Sequence, residues 1–192
     1  SSEIPYFIRK NENQMAKDIM CELAADLVAE DQFVFLDVTS TAAFMVPHLA
    51  SKANLKILTN SAQIALDCLE QLPSARIYCT GGWMSSFSRF IGESARQRIA
   101  EFRTDLLFFS ARYISLEDGI TDVNEEDVYL KREMIKNTRK VVLLCDDSKF
   151  DRTSYRKVCD FSEVDYLVTN QRPSDQWIHH LEAQDVEVIY PE

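Results

Sequence analysis

The sequence predicts an α/β fold, a mostly parallel sheet flanked by helices, and three observations carry that reading. Short apolar runs rich in β-branched and aromatic residues recur along the chain, helix-length segments lie between most of them, and run after run ends in small polar residues. Strand and helix taking turns builds right-handed βαβ units, whose strands all point the same way.

Residues 13–30 set Met15, Ile19, Leu23 and Leu27 four apart, with Ala24 and Val28 beside them. That is one apolar stripe of an amphipathic helix, expected to pack on a sheet. A strand-length run follows at 33–36, then a helix over 41–52 that Pro47 should kink or begin. Further runs stand at 55–58, 76–79, 106–109, 141–145, 166–168 and 186–189. Helical segments fall near 61–72, 93–103, 125–138 and 174–184, the first showing Ile64, Leu66, Cys68, Leu69 and Leu72 among polar residues. Residues 81–91, 111–124 and 146–160 have no clear periodicity. With no fixed-period repeat, low-complexity tract or Pro/Gly-rich linker, residues 1–192 read as one domain.

Hydrophobic residues at 46% are ample for a continuous core, and a net charge of −10 with interspersed signs gives a surface that repels a phosphate backbone. This segment is therefore not expected to grip DNA itself. The five cysteines, Cys21, Cys68, Cys79, Cys145 and Cys159, form no C-x-x-C pair and no zinc-ligand spacing, so most should be buried small hydrophobes in a reducing compartment. No apolar run is long enough for a bilayer, and Ser1 to Pro5 resemble no signal peptide, so the expectation is a cytoplasmic protein without a membrane partner. The absence of an initiator Met adds the expectation that an upstream module belongs with this chain.

In an open parallel sheet, ligands bind beyond the carboxyl ends of the strands, where helix N-termini converge with free N–H groups. The strand ends read Asp37-Val38-Thr39-Ser40-Thr41, Thr59-Asn60-Ser61, Thr80-Gly81-Gly82, Ser110-Ala111-Arg112, Asp146-Asp147-Ser148-Lys149 and Thr169-Asn170. Taken singly, each is better explained as a helix cap or turn. Together, hydroxyls, an amide, two glycines and the cations Arg112 and Lys149 suit a polyhydroxylated or phosphorylated small molecule.

Thr39, Ser40 and Thr41 stand at the start of a predicted helix, where hydroxyls and backbone N–H groups can surround an anion. The loop holds no glycine and no Gly-Lys-Ser/Thr, so it is not a P-loop, and Thr39 stands where a two-carboxylate phosphatase would need an acid. Gly81-Gly82 suits a tight turn or a close backbone approach to ligand. Lys131 lies four residues after Asp127, which by spacing alone slightly favours a surface i,i+4 ion pair over a ligand contact. Lys149 suits a phosphate contact about as well as a solvated loop. His48, His179 and His180 have no catalytic partner at a recognisable spacing and read as surface or packing residues.

In their order along the chain these segments resemble the C-terminal effector-sensing domain of DeoR-type transcriptional repressors. The resemblance runs from Arg9, Asn13 and Lys17 through Phe35-Leu36-Asp37 and its Thr/Ser loop, Thr59-Asn60-Ser61, Gly81-Gly82 and Gly92. It continues through Asp105, Gly119-Ile120-Thr121, Lys131, Asp147-Ser148-Lys149-Phe150 and residues 165–169. It implies a fold shared with ribose-5-phosphate isomerase, used to sense a phosphorylated sugar or related metabolite. It also implies a separate N-terminal winged helix-turn-helix that holds DNA and is absent from this chain. Carried over by position, the ligand contacts are Asp37, Thr39, Ser40, Thr41, Thr59, Asn60, Gly81 and Gly82, with Lys131 and Lys149 at the anionic end.

The chain departs from the family pattern at three places. Asp37-Val38-Thr39-Ser40-Thr41-Ala42 stands where the family has Asp-Ser-Gly-Thr-Thr-Thr, Tyr113 replaces a glycine before an isoleucine, and Asn170 replaces an Asp. Loss of the loop glycine restricts how closely backbone N–H groups approach a phosphate, so either the effector differs in shape or sensing is weaker. The expected function is a non-enzymatic, homo-oligomeric sensor with no cofactor, no metal and no catalytic residue. The rivals are an isomerase- or deaminase-like enzyme on the same fold, with Asp37, Asp146 and Asp147 as candidate bases by type, and a scaffold that has lost its ligand.

Overall fold

The structure, a computed structural model, describes Ile8 and residues 11–192. Arg9, the first position of the family resemblance, lies outside the described residues. The helices that lie wholly within the described residues are α1 (Gln14–Ala25), α2 (Met45–His48), α3 (Ala62–Gln71), α4 (Glu93–Ala100), α5 (Glu125–Lys136) and α6 (Asp175–Ala183). Seven strands form the main sheet: β1 (Phe33–Leu36), β2 (Lys56–Thr59), β3 (Arg76–Cys79), β6 (Thr104–Phe109), β9 (Thr138–Leu144), β11 (Tyr166–Val168) and β12 (Glu187–Ile189). Their order is β12-β11-β9-β6-β1-β2-β3, and every neighbouring pair is parallel.

Burial on both faces explains why the strands read as continuous apolar runs. Phe35, Leu58, Leu107, Phe109, Val141, Leu143 and Leu167 point to one face, where Ala95 and Ile99 of α4, Val128 and Met134 of α5, and Trp177 and Leu181 of α6 cover them. Val34, Leu36, Ile57, Leu106, Phe108, Val142 and Leu144 point to the other, under Met20, Cys21 and Ala24 of α1, Met45 and Val46 of α2, and Ile64 and Cys68 of α3. The chain builds outward from β1 to β3 with its helices on one face. It then returns to the opposite side of β1 as β6 and continues with its helices on the other. The loops after β1 and β6 therefore diverge, leaving a crevice at the carboxyl ends of these strands.

The aperiodic stretches hold structure that the sequence pattern did not indicate. Residues 81–91 contain the antiparallel pair β4 (Trp83–Met84) and β5 (Phe90–Ile91). Residues 111–124 and 146–160 supply β7 (Tyr113–Ser115), β8 (Gly119–Asp122) and β10 (Arg156–Cys159), an antiparallel sheet of order β10-β8-β7. Three expectations need correction. The buried stripe of α1 is Lys17, Met20, Cys21, Ala24 and Ala25, rotated from the expected one, and Met15 is 78% exposed. On α3, Leu66 and Leu69 face outward. The helix expected over 41–52 is a 3-10 turn at Ala42–Phe44 followed by the single turn of α2, because Pro47 has no N–H to continue an α-helical ladder. The N–H groups of Leu49 and Ala50 bond back only three residues, to Val46 and Pro47.

Four cysteines are buried and Cys79 is exposed. His48 Nε2 lies 2.8 Å from Asp18, and His180 packs on Trp177 and Phe161. Among the described residues, no helix is long and apolar enough to cross a membrane.

Candidate functional site

A cavity of about 200 Å³ opens in the crevice beside β1 and β6. It is small against sites for drug-sized molecules, roughly 300–1,000 Å³, and suits a compact metabolite. The first loop forms one wall. The N–H of Asp37 donates to Phe108 O of β6 (3.1 Å), and the N–H of Val38 donates to Asp37 Oδ1 (2.8 Å) and to Asn60 Oδ1 (3.0 Å). Thr39 Oγ1 accepts from the N–H of Ala42 (3.0 Å), the first residue of the 3-10 turn, which ties the loop to that turn. Thr39, Ser40 and Thr41 line the cavity.

Lys131 of α5 comes through the opposite wall. Its ammonium donates to Asp122 Oδ2 (2.6 Å) and to Ser110 O (2.6 Å), and lies 3.6 Å from Asp37 Oδ2. This corrects the surface-pair expectation: the lysine is 3% exposed, and it joins three strand ends rather than its own helix. Burial works against its charge, but Asp122, Asp37 and Asp127 outweigh burial and raise its pKa above the ordinary lysine value. Asp37 is the weaker-held partner. Its burial pushes the carboxyl up despite Lys131 and the Val38 N–H.

Asp127 pairs with Arg89, from the β4–β5 hairpin, at 2.9 Å, both side chains being largely buried. Burial nevertheless pushes its carboxyl up to about 6, against the pull of Lys131 and Arg89. Asp146, at the end of β9, accepts through Oδ1 from the N–H (3.0 Å) and hydroxyl of Ser148, which fixes the turn carrying Lys149. Asn13 Nδ2 at the start of α1 donates to Ser148 Oγ (3.3 Å), and Lys17 Nζ donates to Ser40 Oγ (3.3 Å). The N-terminal turn of α1 therefore touches two walls of the same cavity.

At the mouth, the Arg152 guanidinium lies 4.3 Å from the Tyr113 ring centroid, and that of Arg112 lies 5.3 Å from it. Tyr113 is thus a platform for two cations. Among the described residues, Arg112, Lys149 and Arg152 enter no ion pair.

Of the expected contacts, the cavity brings together Thr39, Ser40, Thr41, Lys131 and Lys149, with Asp37 directly behind. Thr59, Asn60, Gly81 and Gly82 do not line it. Thr59 Oγ1 accepts from Ser61 N (3.1 Å) and Asn60 buttresses Val38, so both hold loops in place. Gly82 has φ +111, and a Cβ there would meet Ile91 O at 2.5 Å, so its task is packing against β5. Sequence reasoning passed over Arg89 and Arg152 and did not give Asp122 or Asp127 a place in the site. Three of these stand in the stretches without periodicity, and a charged residue interrupting such a stretch was the available signal.

The polar cavity thus lies at the reversal of strand order of a doubly wound α/β domain, the place where such sheets offer a ligand crevice. Residues 12–171 match the family model described as the DeoR C terminal sensor domain, and the chain belongs to that family. The HTH-type transcriptional repressor GlcR of Bacillus subtilis (strain 168) is 31% identical over 177 residues, 92% of this chain and 67% of that protein. The Glycerol-3-phosphate regulon repressor of Haemophilus influenzae is 27% identical, over 96% of this chain and 71% of its own length. The HTH-type transcriptional regulator GolR of Listeria innocua is 30% identical, over 81% and 61%. The chain thus spans about two thirds of the length of these relatives, all of which are named as transcriptional regulators.

Solved structures agree on the fold. Ribose 5-phosphate isomerase A from Methanocaldococcus jannaschii superposes with a TM-score of 0.53 over 72% of this chain and 55% of its own, at 15% identity. eIF2B beta from Chaetomium thermophilum superposes with a TM-score of 0.58 over 90% and 53%, also at 15% identity.

Proposed function

We propose that this chain is the effector-binding domain of a transcriptional regulator of sugar metabolism, and that its effector is a phosphorylated sugar or a related phosphorylated metabolite. The observation that carries the reading is the set of cations at the mouth, Arg112, Lys149 and Arg152, which have no carboxylate partner among the described residues and converge on a polar cavity. Guanidinium and ammonium groups so arranged hold a dianion through charge-assisted hydrogen bonds. Thr39, Ser40 and Thr41 complete the wall with hydroxyls. Lys131 acts differently, since Asp122 and Asp37 already neutralise it: it braces the wall that a ligand meets.

The domain acts without turnover in this reading, by biasing an attached N-terminal helix-turn-helix. The link is α1, whose first turn touches the cavity through Asn13 and Lys17 and lies on the side from which an upstream module would enter. A coupling of about 1–3 kcal/mol between effector and DNA is enough for a switch. Symmetric oligomers suit paired operator half-sites, so a homo-oligomer is part of the proposal.

Calorimetric titration with pentose, hexose and triose phosphates beside their unphosphorylated parents tests it. At least one phosphate ester should bind, its parent sugar should not, and Lys149→Ala should weaken binding by about tenfold or more. Unchanged affinity in Lys149→Ala removes the anion assignment. Steady conversion of any of these sugars by the parent protein replaces the sensor with an isomerase-like enzyme.

A further inference from the structure

The carboxylates around the cavity hold more acceptor capacity than the protein itself uses. Asp146 is 1% exposed, and while its Oδ1 takes two donors from Ser148, its Oδ2 is buried with no hydrogen-bond partner among the described residues. Asp127 spends Oδ2 on Arg89, and its Oδ1 is likewise buried and unpartnered. Asp37 Oδ2 completes the set, within 3.6 Å of Lys131 but without a hydrogen bond. Both Asp127 and Asp146 line the cavity, and Asp37 stands behind its first loop. A buried carboxylate oxygen without a donor carries its full desolvation cost, and a molecule that supplies donors removes it.

We propose that Asp127 and Asp146 form a donor-reading subsite, distinct in chemistry from the cationic mouth, which requires the effector to carry at least two free O–H or N–H groups on the part remote from its anion. This rests on the effector-binding reading above and sharpens it. The subsite selects by sign: carboxylates accept from hydroxyl or ammonium groups and repel phosphate, ether and carbonyl oxygens, which also fixes the orientation of the molecule between the two ends. A polyol or amino sugar esterified at one end satisfies both, whereas a simple phosphate ester or a bisphosphate leaves the carboxylates unpaired or opposed. The inner groups weigh toward donors, since Lys131 is engaged by Asp122 and Arg89 by Asp127.

The probes are inorganic phosphate, glycerol 3-phosphate, ribose 5-phosphate, 2-deoxyribose 5-phosphate, glucose 6-phosphate and glucosamine 6-phosphate. Each is titrated calorimetrically into the parent chain, Asp127→Asn and Asp146→Asn, with folding of the variants checked by urea midpoint. The tightest organic probe should lose about tenfold or more in each variant, while inorganic phosphate is held equally well or better once a negative charge is gone. In the parent alone, inorganic phosphate should bind at least about tenfold more weakly than that probe. This arm decides the matter even if a variant fails to fold. Preference for glucosamine 6-phosphate over glucose 6-phosphate assigns the donor as ammonium, and the reverse assigns it as hydroxyl. Variants that hold the tightest probe within about twofold of the parent overturn the subsite and leave the anion site standing. If neither phosphate nor any ester binds the parent, the effector reading falls, and the subsite with it.

Discussion

Replacing Lys131 by Met deletes one ammonium while keeping much of the side chain's apolar length, and the cost follows from what is left behind. Asp122 loses a partner at 2.6 Å and Asp37 the one cation paired with it among the described residues, with Asp37 wholly buried and Ser110 O stripped of its donor. Breaking a buried ion pair on one side costs about 3–5 kcal/mol, against roughly 0.3–0.5 kcal/mol for the surface i,i+4 pair that spacing suggested. For a domain of this size, each kcal/mol shifts the midpoint by about 2–4 °C, so thermal unfolding should fall by roughly 6–20 °C. The stranded Asp37 carboxyl answers by taking up a proton. Its folded-state pKa, already raised by burial, then stands further above the unfolded value, the native state binds more protons than the unfolded one, and the penalty shrinks as pH falls. Urea denaturation across an acidic pH series measures this directly. A loss below about 1 kcal/mol, the same at every pH, would refute a buried Lys131 network and return the lysine to the helix surface.

Other perturbations test other parts of the structure. Asp127 has its folded pKa raised from 3.8 to about 6, so ionised Asp127 disfavours the fold, and stability should rise as pH falls from about 6 toward 3.8. The span is roughly 3 kcal/mol at most, and the urea midpoint of Asp127→Asn should lack this part of the slope. Gly82→Ala should destabilise by about 2 kcal/mol or more through the clash with Ile91 O, and Gly81→Ala by only about 1 kcal/mol, since its Cβ meets open space and only its φ of +63 resists. Equal losses in chemical denaturation would contradict the packing role given to Gly82. With a chromogenic thiol reagent the folded protein should react quickly at Cys79 alone, and Cys79→Ser should show no fast thiol, because the other cysteines are buried and burial raises their thiol pKa values.

The main sheet was legible because a strand covered on both faces must be apolar throughout: 33–36, 76–79 and 166–168 are strands with the expected bounds. The strands β6 and β9 begin earlier than their apolar runs, at Thr104 and Thr138, because these two threonines pair with each other, side chain to side chain at 2.9 Å. Polar residues satisfied across a ladder leave no apolar trace. The small antiparallel strands are illegible for a related reason, being short, bent and only partly covered, so alternation never accumulates over enough residues to register.

The site divides along the same line. Thr39–Thr41, Arg112 and Lys149 could be read off because each follows a parallel strand, and parallel strands deliver their ends to one rim. Strand order could not be read, and strand order decides which of the six polar ends share a wall. The reversal falls between β1 and β6, so the ends of those strands open onto the cavity while Thr59, Asn60, Gly81 and Gly82, farther along the sheet, do not. Lys131 shows the limit most clearly. Four residues from Asp127 on a helix, it satisfies the surface pairing rule, and only the placement of Asp122 on β8 and Asp37 just after β1 gives its ammonium partners better than solvent. A local spacing rule ranks the interactions a segment can make alone; a buried charge is explained by partners that the fold brings from elsewhere in the chain.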